Sequence, residues 1–319
     1  MKNITGKTLF LLCLMGACTG AAAAEEPSFF NDFNVEGGLI APIEIDHGGP
    51  GRDGIPAIDQ PIFLTGTQRD KQIEPSDRVM GVSYNGVAKA YPIAILDQHE
   101  IVNDKFGDTA LTITFSPLSG TGMVFLANAV GRELNFGVSG LIYNSDLLFY
   151  DRNTDSLWSQ VMKTAVTGLL RGATLTQVPA QETTWAAWSR QHPDSLLLSR
   201  DTGHDRDYSS NPYGEYRRLP MVMYPTLHSD WRLPAKTWVI GITANDGALA
   251  LPFEELDKLE SVLPVDVGGK ALELHWDKAA QSARAFDAAG IEYPVTAGYW
   301  FTWVAFHPTT ALHPEQAAP

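Results

Sequence analysis

The stretch VMGVSYNGVAKAYPI, residues 79–93, decides the fold class. It places Asn85 and Gly86 between two runs in which apolar residues alternate with others. An Asn-Gly pair readily adopts the left-handed backbone of a two-residue hairpin turn, so the pattern predicts a β-hairpin. A similar stretch, VIGITANDGALALPF, occupies residues 239–253. The sequence therefore predicts the same hairpin twice.

The similarity between the two halves continues beyond the hairpins. ALTITF at residues 110–115 resembles ALELHW at residues 271–276. Several motifs thus recur in the same order and with nearly the same separation along the chain, which indicates an internal duplication. We expect a mainly β fold with a minority of helix, built from two duplicated β modules with a loop- and helix-rich insertion. The alternative is a pair of β domains that meet at a cleft.

The chain divides by composition into four segments. Residues 1–24 have two lysines, a short apolar run and a final Ala22-Ala23-Ala24, which together predict a cleaved signal peptide. Residues 25–60 form an extended wrapping segment, dense in Gly and Pro. We expect the first module with its insertion over 61–235, and the second, degenerate module over 236–314.

The leader predicts export across the inner membrane to the periplasm, with lipoprotein anchoring at Cys18 as the alternative. The chain has two cysteines, Cys13 and Cys18, and both lie in the leader. The mature protein would therefore contain no thiol, which excludes thiol–disulfide chemistry.

The formal net charge of -14 bears on the partners of the protein. An acidic surface repels phosphate backbones, so nucleic acid is not an expected partner. After the leader, no run is long and apolar enough to predict a transmembrane helix. The sequence does not indicate the oligomeric state.

Two further segments have recognisable patterns. FGVSGLIYNSDLLFYDRNTDSLWSQ, residues 136–160, is rich in Tyr, Trp and Asp and predicts one strand pair that turns at Asp151 to Asp155. TTWAAWSRQHP, residues 183–193, predicts a short helix capped by Thr183 or Thr184 and stopped by Pro193.

The stretch FSPLSGTG, residues 115–122, is the most polar loop of the first module. Its hydroxyl groups and the backbone amides of Gly120 to Gly122 could bind an anion or a ligand oxygen, although a plain tight turn fits equally. The second copy has DKAAQSA at the corresponding place, residues 277–283. A functional site is therefore expected in the first module only.

The run of motifs resembles a bacterial family catalogued as domain of unknown function 3179. The resemblance is carried by DGIPAID, AYPI, HEIVND, SLWSQ, TTWAAW, RDY, NPY and FTWVAFHP, in that order. Many members of that family have cysteines where this chain has Ser116 and Ser119. Metal binding or redox work by thiolates therefore cannot be carried over, since serine is a poor substitute on a soft metal. The resemblance implies kinship and no particular reaction.

The candidate functional residues fall into three groups. A His-Glu pair beside hydroxyl groups can act in acid–base or nucleophilic catalysis, so the catalytic candidates are His99, Glu100, Ser116 and Ser119. Polar and aromatic side chains that could line a cleft give the ligand-binding candidates Thr121, Tyr143, Asp146, Arg152, Trp158 and Arg206. Imidazoles able to hold a divalent metal, zinc or copper, give the metal-binding candidates His99 and His307.

Two classes of function follow from these candidates. The first is an exported cell-envelope protein that binds a small ligand or a metal ion through the loops of the first module. The second is a periplasmic hydrolase or metal-assisted enzyme that uses His99 and the Ser116–Gly122 loop. The absence of cysteines favours binding, and the polar loop in one copy favours an enzyme.

Overall fold

The computed structural model describes residues 28–259 and 261–314. The predicted signal peptide, and with it Cys13 and Cys18, lies outside the described residues. In the described part of the chain no helix is long and apolar enough to cross a membrane.

Strands dominate the fold, with 41% strand and 13% helix, which confirms the predicted mainly β class. The strands as far as the end of the insertion are β1 Phe29–Phe30, β2 Phe33–Asn34, β3 Ile45–His47, β4 Phe63–Leu64, β5 Arg78–Tyr84, β6 Val87–Pro92, β7 Ile101–Phe106, β8 Thr109–Ser116, β9 Thr121–Leu126, β10 Asn128–Ala129, β11 Arg132–Glu133, β12 Phe136–Tyr143, β13 Asp146–Asp151, β14 Leu157–Ser159 and β15 Thr164–Ala165. The later strands are β16 Gln177–Val178, β17 Gln181–Thr184, β18 Leu196–Leu198, β19 Trp238–Ala244, β20 Gly247–Pro252, β21 Val262–Val267, β22 Lys270–Asp277, β23 Ser282–Phe286, β24 Glu292–Tyr293, β25 Thr296–Tyr299 and β26 Ala311–Leu312. The helices are α1 Gly66–Asp70, α2 Ile93–His99, α3 Trp185–Gln191, α4 Gly214–Arg218, α5 Phe253–Leu256 and α6 Trp300–Phe306, with a 3-10 turn at Pro42–Glu44.

Five sheets of four or five strands form a propeller-like arrangement. Their strand orders are β17-β5-β6-β18-β4, β16-β9-β8-β7, β15-β14-β13-β12-β3, β25-β19-β20-β26 and β21-β22-β23-β24. Two-stranded ribbons, β1-β2 and β10-β11, lie outside these sheets.

The two predicted copies have matching topology. The sheet β17-β5-β6-β18 of the first copy corresponds to β25-β19-β20-β26 of the second, with the last pair parallel in both. The sheet β16-β9-β8-β7 likewise corresponds to β24-β23-β22-β21. Helices α2 and α3 of the first copy have α5 and α6 as counterparts. We call these two sets of elements the first and second repeats.

Glycine and tryptophan explain why both repeats keep the same hairpin residues. A Cβ atom on Gly81 would lie 2.2 Å from the ring of Trp188, and one on Gly241 would lie 2.1 Å from Trp303. Each indole therefore packs flat on a strand that has no side chain at that point. Helix α3 begins as predicted, with the hydroxyl of Thr184 accepting a hydrogen bond from the Ala187 N–H.

The first strand of each repeat contacts the turn of the other repeat. Arg78, at the start of β5, donates hydrogen bonds to the carbonyls of Ala280 and Gln281 in the β22–β23 turn. Trp238, at the start of β19, covers Gly120 in the β8–β9 turn, where a Cβ would lie 2.7 Å from its ring. The two contacts are related by the same pseudo-symmetry as the repeats.

Between β9 and β16, inside the first repeat, the insertion consists of strands, and the helices and long loops that we also expected follow β17. Residues 136–160 form three strands, β12, β13 and β14, with turns at residues 144–145 and 152–156. The prediction of a single strand pair was wrong because Asn144 and Ser145 adopt left-handed backbone, with φ of 53° and 62°, and reverse the chain.

The insertion sheet buries a sheet face that is open in the second repeat. Phe125 and Phe149 stack across this contact with ring centroids 6.3 Å apart. In β8 the last six residues are all buried, whereas β22 alternates between buried and exposed positions. The insertion therefore makes the β8–β9 turn an internal feature of the molecule.

Candidate functional site

The turn between β8 and β9, residues 116–120, is the centre of the candidate site. We call it the serine turn. Ser116 is 3% exposed and Ser119 is fully buried. The Ser119 carbonyl accepts a hydrogen bond from the Tyr299 N–H at 2.9 Å, and the Leu118 carbonyl accepts one from the Tyr216 hydroxyl at 2.9 Å. These contacts fix the turn from two sides.

The backbone of the serine turn is common to both repeats. Gly120 has φ of 67°, and the corresponding residue of the second repeat, Gln281, has φ of 48°. The shared conformation shows that a tight turn is part of the scaffold. What distinguishes the first repeat is therefore the side chains around the turn.

Asp146, the first residue of β13, brings a carboxyl group to the serine turn. The Ser119 hydroxyl donates a hydrogen bond to its Oδ1 at 2.7 Å, while no described residue is a partner for Oδ2. Burial raises the pKa of Asp146 to about 7, although the hydroxyl of Ser119 and the N–H of Leu147 act to lower it. The site thus holds a fully buried acid that titrates near neutrality.

Glu100 approaches the turn from the end of helix α2. Its φ of 58° is unusual for a residue with a side chain, and it lets the chain leave the helix directly into β7. Burial and the nearby carboxyls of Asp146 and Asp97 raise the pKa of Glu100 to about 8. The second repeat has Ser261 at this place, where its carbonyl accepts from Trp276 as that of Glu100 accepts from Phe115.

A small cavity lies against Glu100 and Ser116. Its volume is about 80 Å³. The wrapping segment closes one side and the 213–224 segment another, and its lining residues are Gly48, Pro50, Ile55, Glu100, Ser116, Pro117, Leu118, Val138, Gly140, Leu141, Ile142, Leu147, Tyr213, Met223 and Tyr224. Most of the wall is apolar, so the polar groups would fix the orientation of a ligand.

His99 faces away from this cavity. It is the last residue of helix α2 and not a strand residue, and it is fully buried. Its Nδ1 lies 2.6 Å from the Pro56 carbonyl, and its Nε2 lies 2.6 Å from the Tyr208 hydroxyl. Burial lowers the pKa of His99 to about 4, so the neutral ring donates through Nδ1 and accepts through Nε2. In this arrangement both nitrogens are engaged, Nδ1 with the wrapping segment and Nε2 with the 202–208 loop.

His307 occupies the same structural position as His192 of the first repeat. Its ring centroid lies 4.2 Å from that of Trp303, and the His192 ring lies 4.1 Å from Trp188. Burial also lowers the pKa of His307 to about 4. The predicted pair of metal ligands, His99 and His307, thus has separate sets of neighbours. Among residues 28–259 and 261–314, no group of three metal-binding side chains is found.

Four other candidates lie away from the serine turn. Trp158 donates its ring N–H to Asp151 at 2.9 Å in the core of the insertion. Nη1 of Arg152 donates to both carboxylate oxygens of Asp59, at 2.7 and 2.8 Å, and so ties the wrapping segment to the insertion. Tyr143 packs edge-on against Phe306, and Arg206 is exposed.

The structure brings four of the candidates together, Glu100, Ser116, Ser119 and Asp146. Thr121 adjoins them, and its N–H donates to Ser119 Oγ at 3.3 Å. Two lining residues, Tyr213 and Tyr224, were not among the sequence candidates. They come from an irregular segment whose position depends on tertiary contacts, so only the NPY motif drew attention to the first of them.

The family of the protein follows from comparison with known sequences. A family model described as "Protein of unknown function (DUF3179)" matches residues 52–293. The chain belongs to this family, and the resemblance seen in the motifs is confirmed. No match was found among curated proteins. The same holds for solved structures, of which none matches the chain.

Proposed function

We propose that this protein is an exported cell-envelope protein that binds a small molecule in the cavity under the serine turn. One observation carries the proposal. The carboxyl group of Glu100, 8% exposed, lines a narrow cavity and has no hydrogen-bond partner among the described residues. A buried polar group without a partner costs free energy, and a ligand that supplies the partner would recover it.

The comparison between the repeats supports a functional origin for this arrangement. The second repeat keeps the turn but has Ser261 where the first has Glu100, and Ala280 where the first has Ser119. Asp146 belongs to the insertion, which has no counterpart in the second repeat, so both buried acids of the site are additions to the shared scaffold. Export is supported by the leader-like residues 1–24, with Cys18 as the alternative anchor.

A hydrolytic enzyme is the second candidate, and the contact between Ser119 and Asp146 is the observation that favours it. At 2.7 Å the carboxyl group is within reach of the hydroxyl proton, and its pKa of about 7 suits a general base. His99 would be a less suitable base, since a neighbour engages each of its nitrogens. A metal-assisted version would require His99 and His307 to leave these neighbours.

A cavity-filling variant tests the binding proposal. Leu118→Trp replaces an isobutyl side chain at the cavity wall with a larger indole ring, and Leu169→Trp is the matched control because Leu169 is 76% exposed. We expect a screen of small metabolites to find ligands that stabilise the wild type, by about 2.7 kcal/mol at a hundredfold excess over Kd. The control should keep this stabilisation and Leu118→Trp should lose it.

Other results of this experiment would contradict binding in the cavity or favour the hydrolytic candidate. Ligands that stabilise Leu118→Trp as well as the wild type would place binding elsewhere and contradict the proposal. Circular dichroism checks that the variant is folded. Conversion of a bound ligand by the wild type, abolished in Asp146→Asn, would favour the hydrolytic candidate instead.

A further inference from the structure

We propose that the cavity under the serine turn takes a small organic cation, an alkylammonium group, with Glu100 as its counter-ion. This inference rests on the proposed binding function and names the class of ligand. It follows from three features of the cavity: an uncompensated acid, an aromatic wall and a volume too small for a large molecule.

The acidic groups at the cavity have no cation of their own. The charged groups that act on Glu100 are the carboxyls of Asp146 and Asp97, and no basic side chain is among them. Asp97 is already paired with Arg217, whose two terminal nitrogens lie 2.8 and 2.5 Å from its oxygens. That guanidinium group is thus engaged, and Glu100 and Asp146 remain without a positive partner among the described residues. A positively charged ligand would supply the missing partner of these acids.

The walls of the cavity suit the rest of such a ligand. Tyr213 and Tyr224 supply aromatic rings, which attract ammonium groups through their π faces. Leu118, Ile142 and Leu147 offer apolar surface to an alkyl chain. Burial raises the pKa of the Tyr213 hydroxyl, and the nearby carboxyl group of Glu100 acts in the same direction.

Size and ligand count distinguish an ammonium ion from a metal ion. The volume of about 80 Å³ has room for roughly five water-sized groups. Among the lining side chains, oxygen atoms come only from Glu100, Ser116, Tyr213 and Tyr224. Calcium takes about six to eight oxygen ligands, so it would need several backbone carbonyls or waters in addition to these side chains. An alkylammonium group needs only a carboxylate and one or two acceptors.

The test is a titration of the purified mature chain with methylammonium and ethylammonium, followed by NMR shifts of the cavity residues. Acetate and acetamide are the anionic and neutral controls of similar size, and Mg²⁺, Ca²⁺ and Zn²⁺ are the metal controls. The titrations are made at about pH 9, where Glu100, with its pKa of about 8, is mainly ionised. We expect saturable binding of the two ammonium ions, weakened about tenfold or more in Glu100→Gln.

Two variants keep the test decisive. Glu74→Gln removes an exposed glutamate and should leave binding unchanged. Glu100→Asp keeps the charge, and it should bind ammonium more tightly than Glu100→Gln even if either variant is less stable than the wild type.

Three results would overturn the inference. Saturable binding of acetate or acetamide, lost in Leu118→Trp, would keep the cavity as a ligand site and reject the cationic class. Binding of a metal ion, without binding of methylammonium or ethylammonium, would also reject an organic cation as the ligand. Absence of any ammonium binding up to about 100 mM, a concentration well above millimolar affinity, would also reject it.

Discussion

Glu100 is a carboxylic acid placed where little water can reach its charged form. Its side chain is enclosed by the turn, the insertion and the 213–224 segment, and the only charged groups close enough to act on it are acids. Burial and like charge both favour the protonated form. In the unliganded protein this residue is therefore a store of unfavourable free energy that depends on pH.

Glu100→Gln should change how stability depends on pH. The folded-state pKa of about 8 lies above the unfolded value of 4.5, so the folded wild type binds the extra proton between these values. Its stability is fully present below about pH 4.5 and is lost as the pH rises through about 8. The variant should escape this loss and gain on the order of a few kcal/mol relative to the wild type between about pH 5 and pH 9.

Urea unfolding at several pH values measures this difference. Glu74→Gln, at an exposed position, is the control and should follow the wild-type curve at every pH. A constant offset between Glu100→Gln and the wild type from acid to alkaline pH would mean that folding leaves the pKa of Glu100 unchanged, and it would contradict the raised value.

Among the candidate residues, Ser116 lines the cavity, and His99 and His307 are not among its lining residues. Ser116 and Ser119 were predicted from a local motif. Because the turn is short, residues this close in the sequence remain neighbours in the folded protein. The partner of Ser119, Asp146, is 27 residues away in the chain, so its role depends on sheet pairing. His99 and His307 are chemically versatile, but what they contact is decided by packing on Pro56, Tyr208 and Trp303, which the sequence does not encode locally.

At the scale of elements, the two turns that join β8 to β9 and β22 to β23 have the same backbone conformation and different surroundings. In the first turn, two separate features require glycine at position 120. Its φ of 67° is unfavourable for other residues, and the ring of Trp238 occupies the space of a side chain. The second turn places Gln281 in the same backbone region without that covering ring.

Gly120→Ala should be more destabilising than Gly86→Ala, and the two form a matched pair. Both glycines have positive φ, of 67° and 76°, but nothing lies within 4 Å of a Cβ on Gly86. Gly86→Ala should cost roughly 1 kcal/mol of unfolding free energy from backbone strain alone. Gly120→Ala should cost about 1–3 kcal/mol more, because the methyl group overlaps the Trp238 ring.

Denaturant unfolding of the two variants gives the comparison. Adding Trp238→Leu to Gly120→Ala should recover part of the extra cost, which is a non-additive effect expected only of groups in contact. Equal losses in Gly120→Ala and Gly86→Ala would show that the indole yields freely and that the turn is not clamped.

Elements with local signals were predicted well, and those defined by distant contacts were not. The hairpins follow from Asn85-Gly86 and from the Asn245 turn, where the residue itself sets the backbone. Helix α3 follows from its Thr184 cap. Helix α2 was missed because the seven residues after Pro92 have no cap side chain, and their helical form depends on burial of Ile93, Ile95 and Leu96. The third strand of the insertion was missed because the reversal at Asn144-Ser145 lacks glycine.

At the scale of the whole molecule, the repeats are joined by exchanged contacts rather than by a simple flat interface. Arg78 reaches the turn of the second repeat and also lies 3.3 Å from Glu182 of its own. The Glu182 carboxyl is buried, with Oε2 lacking a partner among the described residues. Arg78 thus supports both the interface and an otherwise isolated acid.

Arg78→Leu should lower the free energy of unfolding by about 1–3 kcal/mol, since it removes the partner of a buried carboxyl and two contacts to carbonyls. Arg190→Leu is the control, because Arg190 also reaches the other repeat but is 72% exposed and lies 3.8 Å from Asp277. The control should change stability by less than about 0.5 kcal/mol. Calorimetry on both variants measures the effect, and similar small losses for the two would contradict a special role for Arg78.

The sequence predicted the duplication but could not place the insertion within the first repeat. The motifs recur at a nearly constant separation, which indicates two copies. They can be recognised because both copies keep the hydrophobic alternation of their strands. The break between β9 and β16 leaves no local mark, since each fragment is a regular strand by itself. The buried run in β8, contrasted with the alternation in β22, reveals the further layer that covers the first repeat, and this contrast is seen only in the structure.

The exchanged contacts also bear on how the chain reaches this structure. The hydrogen bond from Arg78 to Gln281 joins residues 203 positions apart, so neither repeat can complete its surroundings before the other has formed. Closing so long a loop costs entropy before any contact repays it, and topologies rich in such contacts fold slowly. We therefore expect refolding to be governed by a late docking event between two preformed halves, with partly assembled chains that expose Trp238 as the species most prone to misassociate.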